Sequence, residues 1–102
     1  MVPTLQPIDP EVSKALGARI RELRITRKKP QEQIAHAAGI SRNHLQNIER
    51  GVNDRTSGTP WNPHLSTLLV ISDALEVSLS ELTADIFQPP GDPVVEAADL
   101  HH

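Results

Sequence analysis

Gln31-Glu32-Gln33-Ile34-Ala35-His36-Ala37-Ala38-Gly39-Ile40-Ser41-Arg42-Asn43-His44-Leu45-Gln46-Asn47-Ile48-Glu49-Arg50 is the stretch that decides the fold of this chain. Its apolar side chains fall at Ile34, Ala38, Ile40, Leu45 and Ile48, the spacing of two short helix faces with a break between them. Ala35 and Ala38 are small enough to let a second helix cross closely. Gly39 supplies the backbone freedom of a sharp turn. Ser41 is placed to cap a new helix through its hydroxyl. The pattern predicts helices over about 31–38 and 42–49, with Gly51 as the stop of the second. Arg42, Asn43, Gln46 and Asn47 fall outward on that second helix.

Upstream, Asp9-Pro10 is a helix start: Asp caps, and Pro at the first helical position loses no needed hydrogen bond. Val12, Leu16, Ile20 and Leu23 then repeat on one face, which predicts a first helix over about 10–27. Gly17 inside it marks close packing or a weak point. Arg27-Lys28-Lys29 forms the link, and Pro30 belongs at or just before the next helical turn. Downstream, 52–63 reads as a long loop rich in turn formers, either functional or mobile. A fourth helix after Pro63 carries Leu65, Leu68, Leu69, Ile71, Ser72 and Leu75, read as a broad buried stripe. Ser78-Leu79-Ser80-Glu81 matches a capping box, and a fifth helix is expected to bury Leu79, Leu82, Ile86 and Phe87. The run from Gln88 to Pro93 ends the fold.

The expected architecture is therefore all-α, a compact five-helix bundle. An arm over 1–8 precedes a domain over 9–88, and a tail over 89–102 is either dimerising or disordered. His101-His102 matches the stub of an affinity tag and is given no role. A length of 102 residues and 37% hydrophobic content suit one small core. With Trp61 and Phe87 the only aromatics, that core must be aliphatic. The absence of cysteine excludes disulfides and thiolate metal sites. His36, His44 and His64 have no metal-ligand spacing, so no cofactor is expected. No apolar run approaches the ~18 residues of a membrane span, and 1–10 has neither the charged start nor the apolar stretch of a secretory signal. A cytoplasmic protein is the expectation.

The net charge of −3 is unevenly distributed. Residues 1–50 hold nine Lys/Arg against five Asp/Glu, a balance of +4; residues 51–102 hold one Arg against eight Asp/Glu, a balance of −7. The basic half contains the paired short helices, and a local field, not the net charge, steers a polyanion. Two helices across a tight turn with a polar outer face make a helix-turn-helix, whose second helix enters the DNA major groove. Arg42 can fork onto guanine O6 and N7; Asn43, Gln46 and Asn47 can pair with adenine N6 and N7. Phosphate candidates are Gln31 and Ser41 at helix starts, with Arg27, Lys28, Lys29, Arg50 and Arg55. Leu45 and Ile48 are core positions, and Trp61 reads as a loop anchor.

Residues 14–87 resemble the Cro/phage-repressor (XRE-like) type of helix-turn-helix regulator. Leu16-Gly17 with Arg19-Ile20-Arg21-Glu22-Leu23-Arg24 looks like the first helix of that family. Gln31-Glu32-Gln33-Ile34-Ala35 looks like its second, Gly39-Ile40-Ser41 its turn, and Ile48-Glu49-Arg50-Gly51 the end of its recognition helix. Asn62-Pro63-His64-Leu65-Ser66-Thr67-Leu68 and Ala74-Leu75 through Val77-Ser78-Leu79-Ser80-Glu81-Leu82 resemble its later helices. Two features depart from the pattern: Pro30 stands where Ser or Thr is preferred, and the loop over 52–62 is longer. The resemblance implies base reading by Arg42, Asn43 and Asn47 with Gln46 and His44 as neighbours, and a structural ion pair between Arg24 and Glu49. It also implies a homodimer on a palindromic duplex site, with half-sites about 34 Å apart. The dimer contact would come from helix 5, the long loop or the arms around 1–10 and 88–100, with Ile86, Phe87, Val94 and Val95 as apolar candidates.

The expected function is a sequence-specific regulator of transcription, a repressor. An antitoxin or a restriction-system controller uses the same domain. The rival class is a protein-interaction adaptor on the same scaffold, with the tail as a surface for a protein partner. No small-molecule effector is expected. An enzyme finds no support, with no phosphate loop and no nucleophile–base pair, and base stacking on RNA needs more aromatics.

Overall fold

The computed structural model describes residues 8–86. It contains five helices: α1 (Pro10–Thr26), α2 (Gln31–Ala38), α3 (Arg42–Arg50), α4 (Leu65–Ala74) and α5 (Leu79–Leu82). Among the described residues there is no extended strand, only an isolated antiparallel bridge between Val52 and Pro60.

Local chemistry sets the helix ends. The Asp9 carboxylate accepts from the Glu11 N–H at 2.9 Å, and Pro10 follows it as the first helical residue. Pro30 precedes α2 with no side-chain cap bond, as a residue lacking a hydroxyl or carboxylate must. Gly39 adopts φ +75 and lets the chain reverse, the Ile40 N–H returning to the Ala35 carbonyl at 2.9 Å. The Ser41 hydroxyl accepts from the His44 N–H at 2.9 Å and starts α3. Ser78 does the same for α5 by accepting from the Glu81 N–H at 2.9 Å.

The core joins all five helices: Leu16, Ile20 and Leu23 from α1, Ile34, Ala35 and Ala38 from α2, Leu45 and Ile48 from α3, Ile71 from α4 and Leu82 from α5. Leu75 and Trp61 complete it. The approach of α1 to α3 depends on Gly17. A Cβ there would stand 2.3 Å from the Ile48 carbonyl oxygen and 2.9 Å from that of Glu49, inside any allowed contact. Gly51 has a double requirement: φ is +79, and a Cβ would lie 2.9 Å from the Lys14 backbone.

The long loop is tied down at its base and internally braced. The Asn53 N–H donates to the Thr59 carbonyl at 2.8 Å and the Asn53 side chain to the Pro60 carbonyl at 3.1 Å. At the tip, Asp54 Oδ1 accepts from the N–H groups of Thr56 and Ser57 at 2.8 and 2.7 Å, and Oδ2 from the Ser57 hydroxyl at 2.8 Å. Trp61 is buried: its backbone N–H donates to the Gly51 carbonyl at 2.9 Å, and its own backbone carbonyl accepts from the buried Ser13 hydroxyl at 2.7 Å. That last bond links residues 48 apart and clamps the end of the loop to α1.

Two expectations need correction here. The stripe on α4 is not all buried: Ile71, Ser72 and the following Leu75 face in, but Leu65 and Leu69 are 61% and 47% exposed, with Val70 at 41%. At about 100° per residue, Leu69 and Ile71 lie on opposite sides of the helix, so one packing face cannot cover both. The fifth helix is also shorter than expected. It ends at Leu82, where the Thr83 hydroxyl donates back to the Leu79 carbonyl, and Asp85 turns to φ +64. Leu82 is buried, Leu79 and Ile86 half-buried, and Phe87 lies outside the described residues, as do Val94 and Val95 and most of the arm and tail.

Candidate nucleic-acid interface

The chain presents α3 by fixing its inner face. Leu45 and Ile48 are fully buried, and Glu49 beside them is held by a charge network. Arg24 Nε donates to Glu49 Oε2 at 2.6 Å and Nη2 to Oε1 at 3.0 Å, a two-pronged pair. Gln31 Nε2 donates to the same Oε1 at 3.0 Å, and Arg24 Nη1 to the Lys29 carbonyl at 2.9 Å. The Glu49 side chain is only 3% exposed. The Glu49 carboxylate thus ties α1, α2 and α3 together, Arg24 adds the following link, and the carboxylate points inward, away from any approaching anion. Such a pair sets orientation more than it adds stability.

The outer face carries Arg42, Asn43 and His44 in the open, with Gln46 half-buried and Arg50 exposed. No acidic side chain interrupts it, since α3 has none in its first turn and Glu49 is turned in. Asn47 is the correction. Its helix position lies about 160° from Leu45, which reads as outward, yet it is only 5% exposed and its Oδ1 has no hydrogen-bond partner among the described residues. Packing from outside α3, not the helix period, removes it from water. It is a buried polar side chain, unlike the exposed Arg42, Asn43 and His44 of the same helix.

The phosphate candidates divide into two groups. Gln31 and Ser41 have side chains already engaged, with Glu49 and as a helix cap respectively. Their value lies in the backbone: the first N–H groups of α2 and α3 point out of the helix ends and attract anions. Arg27 is half-buried and donates back to the Leu23 carbonyl at 3.3 Å, so part of its hydrogen-bonding capacity serves α1. Lys28, at φ +56, and Arg55, near the loop tip, are exposed; Lys29 is half-buried. Ser13, which clamps the end of the loop to α1, carried no distinctive signal in the sequence, and Gly51 was legible as a helix stop but not as the point of close approach to the Lys14 backbone. Their roles arise from partners distant in the chain.

A short polar helix, set across a glycine turn from its supporting helix and locked to a third by an Arg–Glu pair, defines a repressor-type helix-turn-helix domain. The chain belongs to the helix-turn-helix family: residues 15–84 match the family model described as "Helix-turn-helix domain". It is 39% identical over 70 residues to the immunity repressor protein of Bacillus phage phi105, covering 69% of this chain but 43% of that repressor's length. Among solved structures, the restriction-modification controller protein C.AhdI from Aeromonas hydrophila is 30% identical with a TM-score of 0.58, covering 72% of this chain and 98% of that one. The biofilm master regulator SinR, solved in complex with DNA, is 31% identical with a TM-score of 0.53, covering 66% of this chain and 95% of SinR's. These relatives are regulators and not enzymes. No helix among the described residues is long and apolar enough to cross a membrane.

Proposed function

We propose that this chain binds double-stranded DNA in a sequence-specific manner and regulates transcription, as a repressor acting as a homodimer on a palindromic operator. The observation that carries this reading is the exposed face of α3, cationic and amide-bearing, on a helix whose only carboxylate is turned in to Arg24. Arg42 reads guanine and Asn43 adenine, with His44 and Gln46 at the margins of the contact. The N-terminal N–H groups of α2 and α3, together with Lys28, Lys29, Arg50 and Arg55, hold phosphates and set the register. Arg27 joins them through whatever capacity the Leu23 carbonyl leaves free. The phi105 immunity repressor favours a repressor of a phage type.

Selection of bound sequences from random duplex DNA tests the proposal. A palindromic motif, with affinity falling steeply as salt rises through counterion release, is the expected result. Binding that is indifferent to both sequence and salt would refute it and favour the adaptor reading. A second reading, control of a restriction-modification system, is supported by the near-complete coverage of C.AhdI. Methyltransferase and endonuclease genes beside the coding sequence would select that reading over a phage-type repressor.

A further inference from the structure

We infer that the outer face of α4 is the surface on which a second copy of this chain docks, antiparallel across a two-fold axis at Leu69. The inference rests on the homodimer proposed above and names its contact. Leu65, Ser66, Leu69, Val70 and Asp73 are the exposed side chains of this ten-residue helix, and they share one face. Three of them are large apolar groups, the three most exposed in the last two helices. Between Arg55 and Asp73 the sequence contains no Asp, Glu, Lys or Arg. In a two-fold contact each surface meets itself, so any charge near the axis would face its own sign; this face has none there.

The ends of the helix supply the complementarity. The N-terminus of α4 lacks a side-chain cap: His64 makes no cap bond, and the N–H groups of Leu65 and Ser66 have no acceptor among the described residues. The last turn has no basic residue. It carries Asp73 instead, with no ion-pair partner among the described residues and with its charge set against the negative end of the helix dipole. Among the described residues of one chain, both ends are mismatched. Residues 65 and 73 stand four positions either side of Leu69, so an antiparallel copy pivoting there places each Asp73 beside the uncapped start of the other α4. Both mismatches are then relieved at once, and Leu65, Leu69 and Val70 are withdrawn from water between them.

The chain has no cysteine, so one introduced thiol reports this contact cleanly. Helix axes about 8–10 Å apart, less the ~2.3 Å radius of each Cα cylinder, put facing Cα atoms within reach of a disulfide. Sedimentation equilibrium of the wild type should show a dimer. Leu69→Cys should form an interchain disulfide on mild oxidation, while Arg21→Cys, exposed on α1, should not. Leu69→Glu should give a monomer with an unchanged helical circular dichroism spectrum. Asp73→Asn should weaken association roughly 3- to 30-fold, because the end-of-helix contact is made twice. Wild-type protein that stays monomeric at about 100 µM, or a dimer that Leu69→Glu leaves intact, overturns the proposal. So does Leu69→Cys that cross-links no faster than the control; the face is then covered by the tail of the chain or by another protein. Salt-dependent binding of the Leu69→Glu monomer to a single half-site keeps the DNA reading separate, since that reading can hold or fail without this surface.

Discussion

Gly17→Ala sets two effects of opposite sign against each other. Alanine is the better helix former, by about 1 kcal/mol in a helix interior, and on α1 alone the substitution should stabilise. The added methyl, however, would stand 2.3 Å from the Ile48 carbonyl oxygen and 2.9 Å from that of Glu49. A carbon–oxygen contact settles at about 3.3 Å or more, so α3 must retreat by about 1 Å along that line. Both obstacles are backbone atoms and cannot rotate aside. Overpacking of this kind costs about 1–3 kcal/mol and at times more, and the retreat also pulls Glu49 away from Arg24. Clash and lost pairing together should outweigh propensity, leaving a net destabilisation of about 1–3 kcal/mol, or several degrees of melting temperature for a domain of this size. Urea unfolding followed by circular dichroism measures it. The neighbouring exposed Ala18→Gly calibrates the propensity contribution in the same helix. A Gly17→Ala midpoint equal to or above wild type would refute the claimed proximity of α1 and α3.

Three further outcomes are expected. Arg24→Ala strands a carboxylate that is only 3% exposed and should lower stability by about 3–5 kcal/mol; adding Glu49→Gln should recover part of the loss, and comparable urea midpoints for Arg24→Ala and wild type would contradict this. Asn43→Ala should relax base preference by about 1–3 kcal/mol at one operator position. Asn47→Ala, at a buried site, should alter stability and leave base preference nearly intact, and competition binding to mismatched duplexes would show the reverse if Asn47 read bases. The Ser57 N–H and hydroxyl, followed by the Thr56 N–H, hold the Asp54 carboxyl below its ordinary value of 3.8. A depressed acid supports the loop above that value and loses its effect as pH falls through the lowered one. Amide-exchange protection at Thr56 and Ser57 should therefore persist near neutrality and vanish in acid; an Asp54 that titrates at or above 3.8 by NMR would contradict this.

The helix-turn-helix was legible because its signals are local. Gly39 and Gly51 take positive φ at helix ends, Ser41 and Ser78 cap, and Asp9-Pro10 opens α1, each through groups one to four residues away. The Arg24–Glu49 pair was implied by family resemblance and not by any local rule, since 25 residues separate its members. Asn47 defeated the helical wheel because a wheel knows only its own helix. Leu65 and Leu69 defeated it for a related reason: an apolar stripe announces that a face wants cover, and not whether this chain provides it.

Residue order by itself determined where the helices start, where α1, α2 and α3 stop, and which apolar side chains line the inner face of α3. Periodicity, capping and glycine geometry act over a single turn and need no partner. Tertiary packing alone decided that Asn47 is withdrawn from the outer face and that Ser13 clamps Trp61. It also decided that one side of α4 is left in water. Those outcomes depend on which distant surfaces meet, and removal from solvent belongs to a pair of elements, never to one.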